Sequence, residues 1–179
     1  NGDGFDMRPL PDLLETNPET RFLVDEAFVD FVDESVAHLV PEYDNLFVTQ
    51  TLSKAHSLAG FRIGYAILPE PIADELNANN DAYPLTRPSQ AAAIATIEHE
   101  SKIRARIDRL QSWTTQLADD LESLGVTTFP SETYFFLADF SPHDAHDIAA
   151  QLRERNIVVK PLENDRLGPG YMRLKTSRP

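Results

Sequence analysis

The sequence of 179 residues contains no cysteine, which excludes disulfides, thiolate zinc sites and a cysteine nucleophile. Cations are also scarce: 16 Lys and Arg residues stand against 29 Asp and Glu residues, so the formal net charge is −13. A chain this acidic lacks the basic patches that bind a phosphate backbone, and we expect no nucleic-acid partner. No apolar run reaches the roughly 20 residues that span a bilayer, so we expect no membrane segment.

Apolar residues make up 41% of the sequence and aromatic residues 9%, which is enough for a hydrophobic core. The chain begins at Asn1 without Met and ends at Pro179 without a helical or capping pattern. Both ends read as cuts, so we expect a fragment of a longer protein. The sequence shows no targeting segment, and the default expectation is a cytoplasmic location.

Short apolar runs alternate with helical patterns in the first half of the chain, which indicates a mostly parallel α/β sheet. The predicted strands are 21–24, 45–51 and 61–68, and the helical patterns are 11–16 and 33–40. From residue 89 to 124, apolar residues recur at three- and four-residue spacing. This spacing predicts a long amphipathic helix that breaks near Glu100 and is capped by Gly125.

The last part of the chain has a different order of elements. The predicted strands are 126–129, 133–139, 157–159 and 171–175, and the predicted helix is 144–156. Two strands, a helix and two further strands indicate a second, smaller α+β domain. We therefore predict two domains, residues 1–89 and residues 90–179.

The most informative stretch follows the second predicted strand and reads TLSKAHSLAGFRIGY, residues 51–65. It places Lys54 just after a strand, where open α/β sheets bind ligands. The hydroxyls of Thr51 and Ser53 and the guanidinium of Arg62 suit a phosphate. A lysine near a bound phosphate, in a stretch with few other cations, suits a Schiff base.

This stretch resembles the lysine motif of the fold-type I pyridoxal-phosphate enzymes, the aspartate-aminotransferase superfamily. The sequence DEAFVDF, residues 25–31, resembles their acidic motif, and Asp25 precedes Lys54 by 29 residues, much as in the histidinol-phosphate aminotransferase branch. The sequence YMRL, residues 171–174, resembles the segment that carries a carboxylate-binding arginine. The resemblance covers essentially the whole chain, but only about the second half of a family member.

The resemblance implies the second half of the large α/β domain of that superfamily, followed by most of its small α+β C-terminal domain. It implies pyridoxal 5'-phosphate as cofactor, bound to Lys54 as a Schiff base. Asp25 would pair with the pyridinium nitrogen and keep it protonated. Arg62, Ser53 and Thr51 would bind the cofactor phosphate.

Three further residues receive roles from the resemblance. Arg173 would bind the substrate carboxylate, and Lys160 stands where the histidinol-phosphate branch has an arginine on the substrate phosphate. Asn1 stands where the family has an asparagine that bonds the cofactor's ring oxygen. We expect no metal, because the five histidines show no metal-ligand spacing with carboxylates.

The implied activity is amino-group transfer between an amino acid or amino-phosphate, such as a histidinol-phosphate-like donor, and a 2-oxo acid. It implies an enzyme of amino-acid biosynthesis that acts as a homodimer.

Two departures from the family pattern keep alternatives open. Phe28 stands where the superfamily usually has tyrosine, and a similar phenylalanine occurs in the threonine-phosphate decarboxylase branch. Tyr134 stands where the histidinol-phosphate branch commonly has asparagine. The first alternative is therefore a threonine-phosphate-type decarboxylase, which differs in the bond that breaks at the α-carbon. A further alternative is a non-catalytic binding module that kept the fold. The joint presence of the cofactor-binding and substrate-binding residues argues against this alternative.

Overall fold

The computed structural model describes residues 2–32, 34–81, 83–163 and 166–176. Packing divides the chain into two compact units: Phe5–Arg104 form one, and Asn1–Gly4 with Ala105–Pro179 form the other. We call them the lysine unit and the arginine unit, because they contain Lys54 and Arg173 respectively. The division falls inside a long helix, and a domain boundary near residue 90 stays a prediction.

The lysine unit contains a three-stranded sheet. In chain order its elements are α1 (Leu10–Thr16), β1 (Phe22–Asp25), β2 (Leu46–Thr51), β3 (Gly64–Ile67), α2 (Glu70–Ala78) and α3 (Arg87–Ile97), with 3-10 turns at Val29–Phe31, Ala37–Leu39 and Ala59–Phe61. Strand β2 lies in the middle, parallel to β1 and antiparallel to β3. The predicted strand at 61–68 is shorter than expected, because residues 59–61 form a 3-10 turn before it.

One face of this sheet forms the core of the lysine unit. Leu46 and Val48 of β2 are fully buried at 0% exposure and cluster with Leu10 and Leu14 of α1. Successive side chains of a strand point to opposite faces of the sheet, so the residues between them face away from the core. On that second face Leu23 of β1 is 65% exposed. The core therefore leaves the second face available for a binding site.

The arginine unit contains an antiparallel sheet in the order β4–β5–β7–β6. Its elements are α4 (Glu100–Ser123, which begins in the lysine unit), β4 (Thr127–Thr128), β5 (Phe135–Asp139), α5 (Ala145–Glu154), β6 (Lys160–Pro161) and β7 (Tyr171–Lys175). Phe136, Ala138 and Met172 are buried on one face of this sheet, at 1% exposure or less. Thr114 of α4 hydrogen-bonds Thr176, just after β7, at 2.7 Å.

The long helical pattern divides where the sequence predicts it. Helix α3 ends at Ile97 and α4 begins at Glu100. Gly125 follows α4 with a φ of +86°, a left-handed conformation that glycine adopts without steric cost and that ends helices. Among the described residues, no helix is both long enough and apolar enough to cross a bilayer, and this includes the 24-residue α4.

The predicted strand at 157–159 is wrong. Strand β6 begins only at Lys160, because the residues before it end helix α5. The backbone N–H of Ile157 donates to the carbonyl of Leu152 at 2.9 Å, across Asn156 with its φ of +62°. This is the hydrogen bond of a left-handed helix cap, and it uses a backbone group that a strand would need. Val158 is left 77% exposed.

Replacing Leu46 by Ala in the full-length protein is expected to lower the free energy of unfolding by about 2–5 kcal/mol, because a cavity remains in the core. The control Leu46→Met keeps the side-chain volume and is expected to cost less than about 1.5 kcal/mol. Urea unfolding of both variants measures the difference. Equal losses in the two variants would contradict a close-packed environment for Leu46.

Candidate active site

The candidate site lies at the carboxyl-terminal ends of β1 and β2. These strands are parallel, and Asp25, the last residue of β1, is the register partner of Thr49 on β2. Thr51 ends β2 two residues later, so its side chain points to the same face as those of Thr49 and Asp25. Gly64 of β3 is the partner of Thr51 and adds a position without a side chain. Near these strand ends the face opposite the core is therefore lined by small and polar residues, whereas Leu23 lies farther back on β1.

The carboxylate of Asp25 is exposed at this edge and held by a turn. Its Oδ1 accepts a hydrogen bond from the backbone N–H of Ala27 at 3.0 Å. Such a turn orients the carboxylate but occupies only one of its roughly four lone-pair sites. Asp25 can therefore also accept a bond from a protonated ring nitrogen of a ligand.

The neighbouring Glu26 has a structural role. Its carboxylate accepts three hydrogen bonds of 2.7 Å, from Oγ of Ser35, the backbone N–H of Val36 and Nε2 of Gln50. Bonds to an ionised acceptor are stronger than neutral ones. Glu26 thus ties the end of β1 to β2 and to the segment at 35–36, directly beside Asp25.

The same network continues to β3 through Gln50. Oε1 of Gln50 accepts a 2.7 Å hydrogen bond from the phenol of Tyr65. Burial raises the pKa of Tyr65, and the negative charges of Asp30 and Glu26 raise it further. Neither Glu26 nor Gln50 was predicted from the sequence, although an amide inside a strand is a signal of a polar network.

Lys54 lies in a loop after β2 that has a small core of its own. The backbone N–H of Leu52 donates to the carbonyl of Ile63 at 3.1 Å, and that of Leu58 donates to the carbonyl of Leu52 at 3.0 Å. The side chains of Leu52, Leu58 and Ile63 are buried together. These bonds and contacts hold the segment with Ser53 and Lys54 in place.

Hydroxyl and guanidinium groups flank this loop. The hydroxyl oxygens of Thr51 and Ser53 lie 2.9 Å apart, and Thr51 donates to the carbonyl of Ile63 at 2.9 Å. Arg62 is exposed, has a left-handed φ of +55° and donates Nη1 to the carbonyl of Ala59 at 2.9 Å. The remaining guanidinium N–H groups and the Ser53 hydroxyl form a donor set of the kind that binds phosphate, whereas the one hydroxyl hydrogen of Thr51 is donated to Ile63.

The amine of Lys54 contacts the acidic motif through an aromatic ring. Its Nζ lies 5.2 Å from the centre of the Phe28 ring, within the range of a cation–π contact. The side chains of both residues are half-buried. Phe28, the departure from the family pattern, therefore packs against the reactive amine and offers it no hydroxyl.

The two predicted substrate-binding cations face each other in the arginine unit. Lys160 of β6 and Arg173 of β7 are register partners in an antiparallel pair, and both side chains are exposed. The guanidinium carbon of Arg173 lies 5.3 Å from the centre of the Phe135 ring, and Tyr134 meets that ring edge-on at 5.7 Å. Like charges directly opposite each other repel. A bound anion would relieve this repulsion.

The predicted site residues thus fall into two described groups, and Asn1 lies outside the described residues. The lysine unit holds Asp25, Thr51, Ser53, Lys54 and Arg62, whereas the arginine unit holds Lys160 and Arg173. Among the residues that the structure describes, no group of three or more His, Asp and Glu side chains could hold a metal ion.

Comparison with known proteins defines the family of this chain. The profile "Aminotransferase class I and II" matches residues 2–178, and the chain belongs to this family. Histidinol-phosphate aminotransferase 2 of Thiobacillus denitrificans is 41% identical over 155 residues, which are 85% of this chain and 43% of the relative. The protein of the same name from Rhizobium meliloti is 37% identical over 169 residues, 93% of this chain and 48% of the relative. The chain therefore spans somewhat less than half the length of these curated relatives.

Solved structures share the fold. L-threonine-O-3-phosphate decarboxylase from Porphyromonas gingivalis aligns with a TM-score of 0.84 and 27% identity, over 100% of this chain and 57% of that chain. Histidinol-phosphate aminotransferase from Sinorhizobium meliloti in complex with pyridoxal-5'-phosphate aligns with a TM-score of 0.85 and 21% identity, over 98% of this chain and 49% of that one. The predicted family resemblance and the predicted fold class are confirmed.

Replacing Glu26 by Gln in the full-length protein is expected to lower the free energy of unfolding by about 1–3 kcal/mol, because the new NH₂ group faces a hydrogen-bond donor. The control Glu34→Gln makes the same change at an exposed acid and is expected to stay within about 0.5 kcal/mol of wild type. Urea unfolding distinguishes the two. A Glu26→Gln variant as stable as Glu34→Gln would contradict the network.

Proposed function

We propose that the full-length protein binds pyridoxal 5'-phosphate covalently through Lys54 and transfers an amino group to a 2-oxo acid. The observation that carries this proposal is the parallel pairing of β1 with β2, since it brings Asp25 and Thr51 to one edge, from which the Lys54 loop follows. Membership in the class I and II aminotransferases over residues 2–178 supports it.

The residues at this edge fit the cofactor group by group. Its aldehyde requires an amine, which Lys54 provides, and its ring nitrogen requires a carboxylate, which Asp25 provides. Its phosphate requires several donors, which the hydroxyl of Ser53 and the guanidinium of Arg62 provide, joined by the hydroxyl of Thr51 once it turns away from the Ile63 carbonyl. The small residues at this end of the exposed sheet face, Gly64 and Ala66, leave room for a planar ring.

Each residue has a defined chemical task in this proposal. When bound, the cofactor supplies an electron sink that lets a bond at the substrate α-carbon break. Asp25 keeps a proton on the ring nitrogen by charge pairing. Lys54 moves a proton at the substrate α-carbon, acting as general base and then as general acid. Arg62, with the two hydroxyls, fixes the phosphate and so orients the ring.

The facing cations of the arginine unit suit an acidic substrate. We assign the carboxylate of the 2-oxo acid to Arg173, whose planar fork matches a carboxylate, and a substrate phosphate to Lys160, which acts as a point charge. The curated relatives above are named histidinol-phosphate aminotransferases, so histidinol phosphate is the amino donor that we propose. A homodimer and a cytoplasmic location stay predictions.

Decarboxylation of a phosphorylated amino acid is the second candidate function. Phe28 at the Lys54 amine favours it, and so does the likeness to L-threonine-O-3-phosphate decarboxylase. The two reactions use the same cofactor and differ in which bond at the α-carbon is aligned for cleavage. A non-catalytic binding module is the third reading, which the following experiment also tests.

The test offers the cofactor-loaded full-length protein two substrates in parallel. With histidinol phosphate and a 2-oxo acid, we expect the amino acid derived from the 2-oxo acid to form; with L-threonine O-phosphate, we expect no release of carbon dioxide. Lys54→Ala should abolish the transfer. Carbon dioxide release without transfer would favour the decarboxylase. Neither product from a folded, cofactor-loaded protein would contradict the enzyme assignment for these substrates.

Replacing Arg173 by Lys is expected to raise KM for the 2-oxo acid about tenfold or more, because the charge stays but the two-pronged hydrogen bonding is lost. Steady-state kinetics of the full-length enzyme measure this effect. The control Arg153→Lys changes an exposed arginine on α5 and should leave KM unaltered. Equal KM values in wild type and Arg173→Lys would remove Arg173 from substrate binding.

A further inference from the structure

His56, two residues after Lys54, carries a buried nitrogen that lacks a hydrogen bond. Its side chain is only 13% exposed, and within the described part of the chain its Nδ1 has no hydrogen-bond partner. Oδ2 of Asp30 lies 3.7 Å from this nitrogen, somewhat beyond hydrogen-bond distance. Buried polar atoms are almost always paired, so an unpaired nitrogen next to a carboxylate requires an explanation.

His56 and Lys54 face the same stretch of chain. Nζ of Lys54 lies 5.2 Å from the centre of the Phe28 ring, and Nδ1 of His56 lies 3.7 Å from Asp30. Phe28 and Asp30 are two residues apart on one segment, and their partners Lys54 and His56 are two residues apart on the other. Residues 28–30 therefore run beside residues 54–56. The separation at His56 and Asp30 therefore constrains where the Lys54 amine lies relative to the Phe28 ring.

Asp30 is anchored by its backbone. It belongs to the 3-10 turn Val29–Phe31, and Nη1 of Arg104 donates to its carbonyl oxygen at 2.9 Å. Its carboxylate lies near the phenol of Tyr65, since its negative charge, like that of Glu26, adds to the effect of burial in raising the pKa of Tyr65. An aspartate with an anchored backbone can accept a bond from an imidazole through a movement of its side chain alone, without a shift of its own turn.

We propose that His56 is a positioning residue, whose Nδ1–H pairs with the Asp30 carboxylate and fixes the Lys54 amine over the Phe28 ring. An imidazole protonated at Nδ1 donates to a carboxylate, and an approach of about 0.7 Å closes the gap to a hydrogen bond. His56 acts through Lys54 and does not touch the substrate. The inference rests on the proposed function, because the position of the amine matters only if the amine reacts.

The test measures the reactivity of Lys54 in the cofactor-free full-length protein. Competitive labelling with acetic anhydride, followed by peptide mass spectrometry, gives the labelling rate of Lys54 relative to that of Lys102, an exposed lysine on α4. His56→Phe keeps a ring of similar size but removes the donor. His56→Asn loses volume but keeps a side-chain nitrogen at the position of Nδ1. Asp30→Asn removes the carboxylate charge.

We expect His56→Phe and Asp30→Asn each to change the relative labelling rate of Lys54 by about threefold or more. The double variant, His56→Phe with Asp30→Asn, should label Lys54 at the same rate as Asp30→Asn alone, since both changes remove the same contact. His56→Asn should restore most of the wild-type rate. The opposite result is a wild-type labelling rate of Lys54 in His56→Phe and an altered rate in His56→Asn. It would show that only the volume of the ring matters and would overturn the proposal.

A second measurement separates this inference from the proposed function. The absorbance of the full-length protein with pyridoxal 5'-phosphate is followed against pH in wild type, His56→Phe and His56→Asn. We expect the pH at the midpoint of the absorbance change to shift in His56→Phe and not in His56→Asn. An unchanged midpoint in His56→Phe would overturn the role of His56 but would leave the proposed function in place. A wild-type protein that binds no cofactor would overturn the proposed function, and the labelling rates would then decide about His56.

Discussion

The register between β1 and β2 is the constraint on which the candidate site depends. A slip of one residue would exchange the two faces of a strand and send polar side chains into the core. Leu46 and Val48, which are buried against α1, prevent this slip. The same packing that stabilises one face therefore presents Asp25 and Thr51 on the other. Stability and chemistry are thus decided by alternate residues of the same strands.

Two local structures extend this register to the ends of the strands. The carboxylate of Glu26 joins β1 to β2 and, through Gln50, to β3. The small core of the loop at 52–63 holds the segment after β2. The Lys54 side chain itself lies against the Phe28 ring. This arrangement fits a residue whose backbone must stay in place while its amine reacts.

The motifs could be predicted from the sequence because their chemistry resides in residue types at strand ends, as for Asp25 and Lys54. The contact of His56 with Asp30 and that of Glu26 with Gln50 could not, because they join segments 24 or more residues apart. The β-branched run at 157–159 was predicted as a strand, but helix capping by Ile157 determined its structure. Helix α2 was missed, although Glu70 and Pro71 at its start are typical of a helix N-terminus.

The central claim is that Lys54 is the lysine that binds the cofactor, and chemical trapping tests it most directly. The full-length protein is loaded with pyridoxal 5'-phosphate, reduced with borohydride, digested and mapped by mass spectrometry. The account predicts one modified peptide, which contains Lys54, and no modification in a Lys54→Ala variant. Cofactor fixed on exposed lysines such as Lys102 and Lys160, with Lys54 unmodified, would contradict it.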